Sequence, residues 1–159
     1  MKSKLLPITL WVITICWIGM IFFLSSQNGE QTANTSVGIA KKTAEVIYTQ
    51  PTIQQINSVQ FDLRRLSHIG LFFILGGLAY AAVKSTFNYF NRKSILLPWI
   101  IAVAISSFYG FFDEWHKQFI PGRHFDTGET LLNVISSIAG VAIAFGIMAI
   151  YKRKNTGAK

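Results

Sequence analysis

Four apolar runs constrain this chain more than any other feature. They cover residues 5–24, 66–83, 95–112 and 131–151. Each has, or nearly has, the roughly 20 residues that a helix needs to cross the ~30 Å hydrocarbon core of a bilayer. Apolar residues fill these runs continuously instead of recurring at helical or strand spacing, so the reading is spanning helices. A hydrophobic fraction of 51% and a mean hydropathy of +0.39 agree with it. The 159 residues are read as one domain covering 1–159. The predicted fold class is all-α: an integral membrane four-helix bundle, both termini cytoplasmic, with a short amphipathic helix in the first extracytoplasmic loop.

The first run starts after Lys2 and Lys4, as a signal peptide would. It is longer than a usual signal core, and no small-x-small site follows it directly, so it is read as an uncleaved first span. Cys16, the single cysteine, lies inside it. An internal disulfide and a thiolate metal cluster are thereby excluded.

A net charge of +8 would suit a nucleic-acid surface, but its distribution argues for a membrane. With four spans, the N-terminus, the second loop and the C-terminus share one side. That side carries Lys2, Lys4, Lys84, Arg92, Lys93, Lys152, Arg153, Lys154 and Lys159 and no acidic residue. All seven acids fall on the other side, with six basic residues. The positive-inside rule then places both termini in the cytoplasm, with the basic flanks anchored at anionic lipid. No nucleic-acid partner is expected; membrane lipids are.

In the first outer loop, Val37, Ala40, Ala44 and Ile47 recur at helical spacing, with Ser36 as a candidate N-cap and Pro51 as a stop. The pattern suits a short amphipathic helix on the outer surface or across the mouth of the bundle, and equally a partly ordered loop. Glu30, Glu45 and Asp62 read as solvated loop acids.

The outer ends of the spans supply the candidate site. Span three runs into Asp113-Glu114-Trp115-His116-Lys117-Gln118, and Pro121-Gly122 then turns the chain before Arg123. Tyr109, Asp113 and His116 fall on one helical stripe, Glu114 and Gln118 on the next. Span four opens with Glu129, Asn133, Ser136 and Gly140 on a single face. Span two brings Arg65 and, one turn deeper, His68; span one ends in Ser25-Ser26-Gln27. Ionisable groups at membrane depth are costly and point by default to function. The candidate catalytic residues are His68, Asp113, Glu114 and His116. The candidate binding residues are Arg65, Gln118, Arg123, Glu129, Asn133, Ser26 and Gln27. Lys117 reads equally well as a solvated helix-end charge, and Asn133 as glue between helices.

These residues resemble the VanZ-like membrane proteins over most of the chain. Ser25-Ser26-Gln27 looks like that family's Ser-Ser-Gln signature. Arg65-x-x-His68 followed by Leu75-Gly76 looks like its second-span motif. Asp113-Glu114-x-His116 and Phe119-x-Pro-Gly-Arg123 resemble its most recognisable block, and Glu129-x-x-x-Asn133 with Gly140 its closing motif. The chain departs from the pattern at four positions: Phe72 stands where the family often has Tyr, Lys117 for Gln, Glu129 for Asp, and Ser136 for Gly. The resemblance implies a bacterial membrane protein associated with resistance to teicoplanin and related lipoglycopeptides.

Two readings of the constellation stand side by side. In one, a membrane-embedded hydrolase or transferase faces outward, with His68, Asp113, Glu114 and His116 in acid–base roles and Arg65 and Arg123 holding the phosphate of a lipid-linked substrate. In the other, the same groups bind a lipid headgroup, a lipid-linked cell-wall precursor or the lipoglycopeptide without turnover. A small transporter is disfavoured, because the cytoplasmic half has no acid or histidine to relay charge. His68, Asp113 and His116 could ligate a metal, but Asp-Glu-x-His is a weak signature, and no metal or other cofactor is assigned. Four spans make a narrow scaffold, so an oligomer is compatible with the sequence.

Overall fold

A computed structural model describes residues 4–27 and 29–157; Lys2 and Lys159 of the basic set lie outside them. Within the described residues the chain forms five helices and no strand. These are α1 (Leu5–Ser25), α2 (Gly29–Ile47), α3 (Ile53–Tyr89), α4 (Leu96–Lys117) and α5 (Thr127–Gly157). Helices α1, α3, α4 and α5 are long and apolar enough to cross a membrane. Many of their large apolar side chains face outward, among them Ile15 (62% exposed), Phe108 (71%) and Ile147 (62%). That surface belongs in lipid, not water.

Local signals set the helix ends. Thr52 caps α3 through a reciprocal capping box with Gln55, directly after Pro51. The helix therefore starts well ahead of the apolar run at 66–83 and reaches 37 residues, about 55 Å at the usual rise. At its far end Asn91 takes a left-handed φ of 54°, and the Arg92 N–H donates to the Phe87 carbonyl at 2.8 Å. Asp126 caps α5, its Oδ1 accepting from the N–H groups of Gly128 (2.7 Å) and Glu129 (3.1 Å). Between α4 and α5, Gly122 at φ 74° makes the turn, and the Arg123 N–H donates to the Ile120 carbonyl at 3.1 Å. Helix α2 begins at Gly29, so Ser36 lies within it and does not cap it. Ala40 and Ala44, both fully buried, face α3.

Helix α3 is the hub, touching all four others. Its contact with α5 is backbone against backbone. A Cβ at Gly76 would sit 2.1 Å from the Ser137 carbonyl oxygen, and one at Gly140 would sit 1.9 Å from that of Phe73. Small residues permit this approach where lipid offers no hydrophobic drive for helix association. Helix α1 is tied on by two partly buried hydrogen bonds: the indole N–H of Trp17 donates to the Leu71 carbonyl and the Tyr109 hydroxyl to that of Ile18, each at 3.0 Å. The core has two parts. Ala79, Tyr80, Ala102 and Val141 fill one. Ile21, Phe72 and Leu75 fill the other, and the site rests on it.

Candidate functional site

The C-terminal end of α4, the first turns of α5 and the middle of α3 meet at one end of the bundle. On α4, Asp113, Glu114 and Lys117 share an inward face, because steps of one and four residues turn only about 100° and 40° around a helix. All three are fully buried. The first turn of α5 adds Glu129, where an anion is favoured by the helix dipole. One turn further in is Asn133, also fully buried.

Lys117 is the hub of the charges. Its Nζ pairs closely with Glu114 Oε1, and lies 3.3 Å from Glu129 Oε2 and 3.5 Å from Asp113 Oδ2. From α3, Arg64 engages Glu129 by Nε at 2.8 Å and Nη2 at 3.0 Å. His68 Nδ1 lies 3.0 Å from the Asn133 side-chain oxygen, which can only accept, so Nδ1 carries the proton. Nε2 is left facing Glu129 Oε2 at 3.5 Å. Asn133 is held in turn by a long contact from Nδ2 to the Gly110 carbonyl, 3.5 Å. Gly110 leaves room for it: a Cβ there would lie 3.1 Å from Asn133 Cβ.

A cavity of about 320 Å³ opens beside this cluster, between α1, α2 and α3. His68, Arg64 and Arg123 reach its wall, Ser36 and Gln60 add neutral polar groups, and Ile21, Leu24, Leu71 and Phe72 make it apolar elsewhere. Arg123 is half-buried. Burial, then the neighbouring Arg64 charge, lowers its pKa from the ordinary arginine value, while Glu129, Glu114 and Asp113 act in the opposite sense.

Of the candidates read from sequence, the fold brings His68, Asp113, Glu114, Glu129 and Asn133 into one network, with Arg123 at the cavity wall. His116 stands apart. Its ring stacks between Phe22 and Phe112, Nδ1 donates to the Asp113 backbone carbonyl at 2.7 Å, and Nε2 is 3.4 Å from Ser26 Oγ. Arg65 points away from the network, its guanidinium over the Phe61 ring at 4.9 Å. Gln118 is exposed and donates to the Trp115 carbonyl. Gln27 lies in the bend after α1. Two participants are not among the sequence candidates: Arg64 is passed over there, and Lys117 stands open between a role in the site and a solvated helix-end charge. Each had a signal available: Arg64 precedes His68 by four residues, and Lys117 follows Asp113 by four, the spacing that puts side chains on one face.

The chain matches the model of the VanZ/LLP1 family over residues 10–150. It belongs to the VanZ-like family. Comparison with curated proteins and with solved structures finds no match for this VanZ-like chain in either set. The family match and the four long apolar helices together make it a multi-pass membrane protein.

Proposed function

We propose that this VanZ-like protein recognises the anionic headgroup of a lipid-linked envelope component, such as a cell-wall precursor, in the cavity between α1, α2 and α3. The cavity lies on the extracytoplasmic face of the bacterial cell membrane, and headgroup recognition there underlies protection against teicoplanin and related lipoglycopeptides. One observation carries this reading: the cavity has Arg64, Arg123 and His68 at its wall and aliphatic and aromatic side chains around the rest. Guanidinium groups bind phosphate through several directed N–H donors, and apolar walls suit the first carbons of a lipid tail.

Recognition is favoured over turnover by where the acids stand. Asp113 and Glu114 are fully buried behind His68, do not line the cavity, and direct their charge at Lys117. Of the four candidate catalytic residues, only His68 reaches the cavity. A hydrolase or transferase reading keeps His68 as its acid–base group.

The test is headgroup binding by the full chain in lipid nanodiscs, with undecaprenyl phosphate as probe against the neutral alcohol. Binding that needs the phosphate, and that weakens about 10- to 100-fold on Arg123→Ala, supports the reading. Equal affinity for phosphate and alcohol removes it, and phosphate release over time would establish turnover instead.

A further inference from the structure

Three carboxylates converge on one ammonium in the charge cluster, and they are not fully satisfied by it. Lys117 Nζ pairs with Glu114 and stands 3.3 Å from Glu129 and 3.5 Å from Asp113. An ammonium carries three N–H donors, one for each acid. Even so, both oxygens of Asp113 and Oε2 of Glu114 are buried without a hydrogen-bond donor. Asp113 and Glu114 have no solvent exposure at all. Buried anionic oxygens in that state are expensive unless a cation serves them.

The ammonium stands beside a group of side chains that could hold a metal ion. One ligand atom each from His68, Asp113 and Glu114 lies within 4.8 Å of the others. Three donors bound to one ion at roughly 2.1 Å sit about 3.4–3.6 Å apart, so the side chains must close by about an ångström. An imidazole with two carboxylates is a donor set that divalent transition ions accept.

Charge decides whether such an ion could sit beside the lysine. By formal charge, Asp113, Glu114 and Glu129 count as three negative groups and Lys117, Arg64 and Arg123 as three positive ones. With His68 neutral the set balances. A divalent ion added to it would leave two uncompensated charges in a region of low dielectric. An ion that replaces the Lys117 ammonium leaves one.

We propose that Lys117 is the site's built-in cation, holding the position that a divalent metal ion would take between His68, Asp113 and Glu114, and that removing its ammonium converts the cluster into a metal site. Lys117 thereby holds the acids in place without any dissociable ion, and through Glu129 it fixes the group that faces His68 and Arg64. The inference goes beyond headgroup recognition and holds whatever the cavity binds.

The experiment uses the full chain in detergent as wild type, Lys117→Gln and Lys117→Met. Mn²⁺ is the probe, followed by loss of the free-ion electron paramagnetic resonance signal, with thermal unfolding as a second readout. Both variants should bind about one Mn²⁺ per chain, unfold earlier than wild type without it, and recover on adding it. Wild type should bind none and show no shift. Adding Asp113→Asn to Lys117→Gln should weaken Mn²⁺ binding about tenfold or more. Wild type that binds one ion, variants that bind none, or binding indifferent to Asp113→Asn would each overturn the proposal. So would variants that cannot be recovered folded even when expressed with the metal, because the ion would then not replace the ammonium.

Discussion

Arg64 and Glu129 lie 65 residues apart and form a two-point fork, with Nε and Nη2 at 2.8 and 3.0 Å from the carboxylate oxygens. The fork joins α3 to the first turn of α5 and leaves Arg64 on the cavity wall. Arg64→Ala should therefore weaken phosphate-headgroup binding. About tenfold is expected, the low end for a charge-assisted contact, because Arg64 is 40% exposed. Arg65→Ala, one residue along and over Phe61, should leave binding unchanged. Titration of both variants in nanodiscs with the phosphate lipid distinguishes the two positions.

Removing the ammonium of Lys117 strands buried carboxylates. Without added metal, Lys117→Met should destabilise the protein by about 3–5 kcal/mol, the usual cost of breaking a buried pair from one side. Gln118→Ala, at the exposed neighbouring position, should shift stability by less than about 0.5 kcal/mol. Thermal unfolding in one detergent, followed by circular dichroism, compares them.

Histidines at two positions should part company. His68 reaches the cavity and bonds Asn133, whereas His116 packs between two phenylalanine rings. In a host lacking the protein, complementation with His68→Gln or Asp113→Asn should lose lipoglycopeptide protection at matched membrane abundance. His116→Gln should retain it. Protection retained by all three variants would leave an envelope-structural role in place of a recognition site.

The α3–α5 contact leaves no space for a side chain. Gly140→Leu should reduce the amount of folded protein sharply, since even a Cβ meets the Phe73 carbonyl at 1.9 Å. Gly146→Leu on the same helix should be tolerated, because nothing lies within 4 Å of its Cβ position. Size-exclusion recovery in detergent reads both.

The expectation that both termini are cytoplasmic predicts the sidedness of the connections. In a Cys16→Ser background, a cysteine at Gly29 should react with an impermeant maleimide in intact cells, and one at Asn88 only after permeabilisation. The opposite pattern would place the charge cluster on the cytoplasmic side.

The sequence by itself determined the class of the molecule. Continuous apolar runs can satisfy their backbone in lipid only as helices, so their number and order were legible without tertiary information. The stripe Glu129, Asn133, Ser136 was legible too, because it lies within one helix and helical spacing is a local property; all three are buried. What the chain could not reveal was rotation, meaning which side of α3 and α4 meets the other helices. Arg64 and Arg65 are adjacent and chemically alike, yet about 100° of helical turn separates them. Packing of Gly76 and Gly140 against the facing backbones fixes α3 against α5, and Arg64 is the arginine that reaches Glu129. The same holds for Lys117, a helix-end charge by sequence. It becomes the centre of the cluster only because α4 turns Asp113, Glu114 and Lys117 together toward Glu129. Long-range contacts made those choices, and the local pattern carries no term for them.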